Sequence, residues 1–498
     1  MTILKSPVSE NHCFTIVKIQ NIISLENKDN IVQTNIYGVP VVVSKNTQIG
    51  EIGVYIPYDV KLSEEFCFYN NLNTNCELNY NNNIKGYIEK NRRVKSIRFT
   101  NRDKYKNIIG YYDSQGLYLP LKCLEFTNYN LTNLDLKEGD IFDELNGSKL
   151  CEKYIITGNN GSHFERKNKK YKFKNKLFKN LEDQYSKITN WYERLKNPVR
   201  VIYDQFNFHD DTSHLNKNLF RLDYDTKIAI TEKVHGTSAI SANVLVNRPL
   251  TIPEYILKKF GVKIQDKVYD PNGIYASRKV VKNKIYNSEA KDGWYGVDVW
   301  GIADKVIRPY IKAGETIYYE IVGYLPGGKM IQKDYDYGLT KPINDVYFHN
   351  IHFEIYVYRI TSTNYQGKVI DYSHEQVKEW CKLNNFKHVD THFYGTFREF
   401  LIKYSTLPDT EFKDDEHIYE QRELFLELLK EKYWLDKCYL CNNDVPNEGV
   451  VVRIDEPFKW FAYKWKNILF TQYESKLKDD NDFVDIEDTQ LEDVSVEK

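Results

Sequence analysis

An α+β chain is what this sequence predicts, with a small all-β unit first and a larger unit of antiparallel sheets and flanking helices behind it. Three observations carry that expectation. The opening residues, up to about Phe126, are short β-branched and aromatic runs broken by Asn, Gly and Pro. From Leu222 strand-like runs return, and two helical stretches interrupt them, the second with apolar residues largely at three- and four-residue steps. A length of 498 residues exceeds one ordinary core, and at roughly 100–200 residues per domain it suggests about two to four units.

In the first part, residues 1–128, Thr15–Ile19, Ile31–Ile36, Val39–Val43 and Gly53–Pro57 are predicted strands, spaced as in a small barrel or sandwich. Asn70–Asn83 is Asn-rich and polar, the composition of a surface loop. The run from Arg98 to Tyr112 is longer than such a unit needs. Residues 129–221 form a connecting region. In it the eight basic side chains from Arg166 to Lys179 meet no acid and are interleaved with Tyr171, Phe173 and Phe178. That composition suits phosphate neutralisation and base stacking, and equally a solvated linker.

Residues 222–478 are the main unit. Its predicted strands are Lys227–Glu232, Ser238–Val246, Thr316–Val322, His352–Thr361, Gly449–Ile454 and Trp460–Trp465, and its helices Glu375–Asn384 and Glu416–Tyr433. Residues of about 365–447 form an inserted helical segment for which a structural role is expected. Residues 479–498 are acidic and poor in apolar side chains, so disorder is expected there.

Net charge of −1 says nothing about partners globally. Eight cysteines without a repeated spacing, and no charged-then-apolar leader, argue against a secreted disulfide framework. An intracellular, cytoplasmic protein is expected. No apolar run approaches the roughly 18–20 residues of a membrane span. Cys438-x-x-Cys441 lacks a second Cys or His pair at finger-like spacing, so two ordinary thiols and no structural zinc are expected.

The chemistry-bearing stretch is Thr231-Glu232-Lys233-Val234-His235-Gly236-Thr237-Ser238, a lysine three residues ahead of a glycine at the end of a predicted strand. Lys-x-x-Gly alone is common and gains weight only from company. Downstream follow Tyr275-Ala276-Ser277-Arg278-Lys279, Tyr318-Tyr319-Glu320-Ile321-Val322-Gly323 and the strand from Phe353 to Ile360. After these come Glu448-Gly449-Val450-Val451-Val452-Arg453 and Phe461-Ala462-Tyr463-Lys464-Trp465-Lys466. In that order the series resembles the covalent nucleotidyltransferase superfamily of nucleic-acid ligases and mRNA-capping enzymes. The form around Lys233 looks like an ATP-dependent RNA ligase, most similar to the family known from Deinococcus and Naegleria. That family carries an oligonucleotide-binding (OB) domain ahead of the ligase domain. Gly50–Tyr55 and Ser114–Leu121 are similar to stretches of that OB domain.

The resemblance implies an N-terminal OB-like β-barrel followed by an ATP-grasp-like nucleotidyltransferase domain, acting with ATP and Mg²⁺ or Mn²⁺. It implies RNA with 3'-OH and 5'-phosphate ends as partner, loose or as a nicked duplex. Lys233 would take AMP and His235 would assist its transfer to the RNA end. Glu232, Arg278, Glu320, Glu354, Tyr358, Glu448, Lys464 and Lys466 would bind ATP or AMP, with Phe353 or Tyr356 as alternatives to Tyr358 for stacking on adenine. Glu448 would also face the metal through water, and Lys217 and Arg221 are candidates for the β- and γ-phosphates. Arg359 stands where some relatives have Asp.

Lysine has an ordinary pKa near 10.4, so a nucleophilic Lys233 needs burial and neighbouring cations, which Lys464 and Lys466, two apart on one strand face, could supply. A structural histidine or a surface lysine ladder is the bland alternative for His235 and for the Lys464/Lys466 pair. Two other functions stay open. One is capping-type guanylyl transfer or DNA ligation, whose enzymes place an OB domain after the last lysine motif, where about thirty residues follow Lys466 here. The other is a non-catalytic RNA-binding protein that kept the fold.

Overall fold

The computed structural model describes residues 3–128, 136–155, 201–286 apart from 203 and 210, 295, 297–325, 328–339, 352–412 and 417–479. The basic run from Arg166 to Lys179 and the acidic residues past Asp479 lie outside them. It is a mixed α+β structure.

The N-terminal β-branched runs form strands β1 (Phe14–Lys18), β2 (Ile31–Ile36), β3 (Val39–Ser44), β4 (Ile52–Ile56) and β5 (Val60–Leu62). β2 and β3 make a hairpin closed by Tyr37 and Gly38, both at positive φ, the backbone that a tight two-residue turn requires. Helix α1 (Glu64–Tyr69) starts at Ser63, whose Oγ accepts from Phe66 N. The Asn-rich stretch is tied down rather than loose. Asn79 is buried, and its amide bonds both the N–H and C=O of Asn73 and the C=O of Ile84.

The long run near Arg98 is a hairpin of β6 (Ser96–Arg102) and β7 (Ile108–Gln115), followed by β8 (Leu117–Pro120). Four short strands past residue 128 complete the N-terminal sheets, of which Glu144–Leu145 pairs with Ser148–Lys149 and with Leu4–Lys5. β9 (Ile141–Phe142) joins β1 in a sheet ordered β8-β4-β1-β9, and β10 (Cys151–Lys153) pairs with β5. Part of the expected connecting region thus belongs to the first unit, because the edges of β1 and β5 take their partners from it.

Two sheets build the second unit. One is ordered β11-β19-β18-β12-β17: β11 (Ser213–His214), β12 (Lys227–Glu232), β17 (Thr391–Thr396), β18 (Gly449–Ile454) and β19 (Phe461–Lys466). The other runs β14-β13-β15-β16, with Val369–Asp371 beyond β16: β13 (Thr237–Ala242), β14 (Ile274–Ser277), β15 (Glu315–Gly323) and β16 (Phe353–Thr363). Helices α2 (Val299–Ile307) and α3 (His374–Asn384) pack on the second sheet, and α4 (Ile418–Tyr433) on the first. The predicted strand Ser238–Val246 breaks after Ala242, and Leu245–Asn247 pairs separately with Lys267–Tyr269.

The segment of about 365–447 is not an appendage. It supplies β17, hydrogen-bonded beside β12 with Ile230 opposite Phe393, and α4, which buries Phe425, Leu426 and Leu429. The same core takes Val32, Val41 and Val43 from β2 and β3, so the two units share one interior. The described residues end on helix α5 (Ile468–Asp479). Among the described residues no helix is long and apolar enough to cross a membrane.

Candidate active site

β12 and β13 are consecutive in sequence but lie in different sheets, so Lys233, Val234, His235 and Gly236 are the crossover between them. Lys233 N donates to Gly449 O at 2.9 Å, which fixes the crossover to the start of β18. Gly236 is required by close approach: a Cβ there would meet Ile321 O at 2.7 Å and Val322 Cγ1 at 3.0 Å on β15. The crossover opens into a cavity of about 240 Å³ lined from both sheets and from the N-terminal unit.

At its floor lies Glu448, buried, with its C=O accepting from Asn467 N. Lys233 Nζ is 2.7 Å and Lys466 Nζ 3.4 Å from Glu448 Oε1, while His235 Nδ1 is 3.4 Å from Oε2. Burial by itself would raise this carboxyl's pKa. The cations of Lys233 and Lys466 and the His235 contact overcome it and hold the pKa well below the usual value.

The His235 ring is gripped edge-on by Tyr335 and Phe470, with centroids 4.6 and 4.9 Å away, and Tyr337 Oη donates to its C=O at 2.7 Å. Lys233 and His235 lie past the end of β12. Their convergence on one carboxylate comes from the crossover and not from strand alternation.

Lys464 and Lys466 both line the cavity. Burial, then the cations Lys466, Arg278 and Lys233, bring Lys464 down to about 7. Burial acts on Lys466 in the same sense, but Glu474 and Glu448 outweigh it and its pKa stands well above the ordinary value. Arg278 is paired with Asp211, and Glu320 reaches the cavity from β15. Glu232 is buried on β12 with its Oε2 3.0 Å from His392 Nε2, and burial raises its pKa against the pull of that imidazole. Of the three aromatic candidates on β16, Tyr358 lines the cavity, its Oη 3.2 Å from Ser238 Oγ and its ring against His209. Tyr356 is buried against Val234 and Val322 instead.

Three expected ligands are not brought there. Glu354 lies toward the far end of β16, 3.3 Å from Lys387. Alternation gave its face correctly but not its distance along the strand. Lys217 follows β11 by one turn and donates to Glu10 O and Thr15 Oγ1. Arg221 stacks on Phe220 and Phe461. β11 pairs alongside β19, and neither Lys217 nor Arg221 in the turns that follow it is among the residues that line the cavity.

Several lining residues escaped sequence reasoning. Tyr58 and Lys153 come from the N-terminal unit, His209 and His214 from the segment before β12, and Glu474 from α5. None carries a local signal; Glu474 lies on the helix that follows the strand of Lys466. Among the described residues no group of three or more His, Cys, Asp or Glu could hold a metal ion, and Cys438 and Cys441 are buried free thiols.

Fold and site together define a lysine-centred polar cavity between two mostly antiparallel sheets. No protein-family model matches the chain, and no curated protein matches it. Among solved structures, several of Naegleria gruberi RNA ligase are similar. A mutant with ATP and Mn gives a TM-score of 0.48 at 14% identity, covering 95% of this chain and 100% of that one. Another mutant, with AMP and Mn, gives 0.49 at 13%, covering 92% and 98%. The ligase with PPi gives 0.46 at 14%, covering 94% and 98%. At such values the functional reading has to come from the cavity's own residues.

Proposed function

We propose that this chain is an ATP-dependent RNA ligase that joins a 3'-OH to a 5'-phosphate through lysyl-AMP and RNA-adenylate. The observation that carries the reading is the sharing of Glu448 by Lys233 and His235 inside a cavity that Arg278, Glu320, Tyr358, Lys464 and Lys466 also line. A non-catalytic RNA-binding protein has no use for that arrangement.

Lys233 attacks the α-phosphorus of ATP as the free amine, its extra proton having passed to solvent; the new N–P bond forms as the bond to pyrophosphate breaks. Lys464, Lys466 and Arg278 hold the phosphates against the nucleophile and offset their charge. Tyr358 offers a ring to adenine and Glu320 a carboxylate to the ribose hydroxyls. In the second step a 5'-phosphate oxygen of RNA attacks the same phosphorus and Lys233 departs, with His235 beside it to assist. The 3'-OH then attacks the 5'-phosphorus and AMP leaves.

Mg²⁺ or Mn²⁺ would be held at Glu448 through water: among the described residues no group of three or more His, Cys, Asp or Glu makes a protein cage, and Mg²⁺ keeps several waters and relies on substrate phosphates. Bound there through water, the ion would neutralise charge at the α-phosphate.

The test is to incubate the protein with Mg²⁺ and α-labelled ATP or GTP, denature it and measure the label retained. Label from ATP is expected, lost in Lys233→Ala. Label from GTP alone would move the assignment to guanylyl transfer, and label from neither would remove it.

A further inference from the structure

Lys464 and Lys466 stand on one face of β19, yet their surroundings are opposite. Lys464 is set chiefly among cations. Lys466 lies between two carboxylates, with Glu474 Oε2 at 3.1 Å and Glu448 Oε1 at 3.4 Å, and its Nζ is 4.9 Å from the centre of the Phe470 ring. Glu448 Oε1 is therefore a contested acceptor, because Lys233 is on the same oxygen at 2.7 Å. Two ammonium groups on one oxygen repel, and a second carboxylate nearer to one of them relieves the conflict.

We infer that Glu474 is a positioning residue for nucleotidyl transfer: it draws Lys466 off Glu448 Oε1, leaving that oxygen to Lys233, and fixes Lys466 at a set point of the cavity wall where a phosphate can meet it. The inference rests on the ligase reading above. Glu474 is suited to this because α5 is immobilised from the N-terminal unit. Lys478, one turn on, donates to Asp59 Oδ2 at 2.7 Å. Gln115 donates to Thr471 Oγ1 at 2.8 Å, Ser96 Oγ is 3.0 Å from the same hydroxyl, and Arg93 donates to Asp479 Oδ1 at 2.9 Å. The same helix sets Phe470 against His235. One element anchored from outside the two sheets thus positions both Lys466 and the imidazole.

A buried Glu–Lys pair can also be only structural, and a double-mutant cycle separates the two roles. Single-turnover lysyl-AMP formation from labelled ATP and the urea midpoint are measured for wild type, Glu474→Gln, Lys466→Ala and the double variant. Glu474→Gln is expected to slow lysyl-AMP formation by on the order of 10- to 100-fold, to add no further slowing once Lys466 is Ala, and to recover part of the rate as Glu474→Asp. Additive slowing, or slowing that merely tracks the loss of midpoint, overturns the inference. Should Glu474→Gln not fold, Glu474→Asp replaces it in the cycle and the same non-additivity is required. Wild-type protein that keeps no label from any ribonucleoside triphosphate overturns the ligase reading and this inference with it; wild-type labelling with additive variants overturns this inference alone.

Discussion

Lys233 and His235 each take one oxygen of Glu448, a division that suits successive steps on one phosphorus. His235→Ala leaves the Lys233–Glu448 contact standing, so lysyl-AMP formation is expected to survive while sealing of a 3'-OH/5'-phosphate nick falls by on the order of 100-fold, within the range for a lost proton-transfer group. Equal loss of both activities, followed by gel for sealing and by retained label for adenylation, would refute that role. Lys464 gives a second expectation. With its pKa at about 7 it is largely neutral above that pH, and a bound polyphosphate favours its ammonium form. Binding of ATP or pyrophosphate at about pH 8 should therefore take up a proton, seen as a buffer-dependent heat in calorimetry, and Lys464→Met should abolish the uptake. Most of these side chains were legible because each stands in a short motif. Lys217, Arg221 and Glu354 lie outside the cavity lining, since strand alternation or a loose match upstream does not fix the distance to a cavity.

At the scale of elements, the crossover between β12 and β13 does what neither strand could alone. It carries Lys233 and His235 out of both hydrogen-bonded ladders and into the gap between two sheets. Gly449 secures its other side. That residue sits at φ 119°, its C=O accepts from Lys233 N, and a Cβ on it would collide with Trp465 O on the neighbouring strand. Gly449→Ala is expected to cost about 2–4 kcal/mol, from backbone strain and forced separation of β18 and β19, and to slow lysyl-AMP formation because Glu448 precedes it. A urea midpoint and the label assay check both. The strands Lys227–Glu232 and Gly449–Ile454 end where their β-branched patterns end. By contrast, β17 escaped notice: Thr391–Thr396 contains Gly395 and alternates weakly, and it is a strand because β12 has an open edge there.

Across the whole molecule, the N-terminal unit is joined to the second by a common core and by buried charge. Val41 and Val43 pack with Phe425 and Leu429, and Lys430 donates to Gly38 O in the β2–β3 turn. Lys478 and Asp59 pair with side chains 9% and 10% exposed, so breaking that pair leaves an almost dry charge. Asp59→Asn is expected to destabilise the protein by about 3 kcal/mol, and thermal unfolding should stay a single transition, since a shared interior couples both units. Two separate transitions in calorimetry would contradict the common core.

By itself the sequence determined the α+β class, most strand boundaries, the lysine at the centre and the order of its partners. Those follow from periodicities and motifs in which each residue is judged against its near neighbours. Only the tertiary structure decided that Lys466 answers to Glu474, that Tyr58 and Lys153 reach the same cavity, and that residues of about 365–447 complete the sheet behind Lys233. Lys466 and Glu474 stand on different elements, a strand and the helix after it, and the other contacts join positions far apart in the chain; what brings them together is the burial of faces that no local pattern pairs.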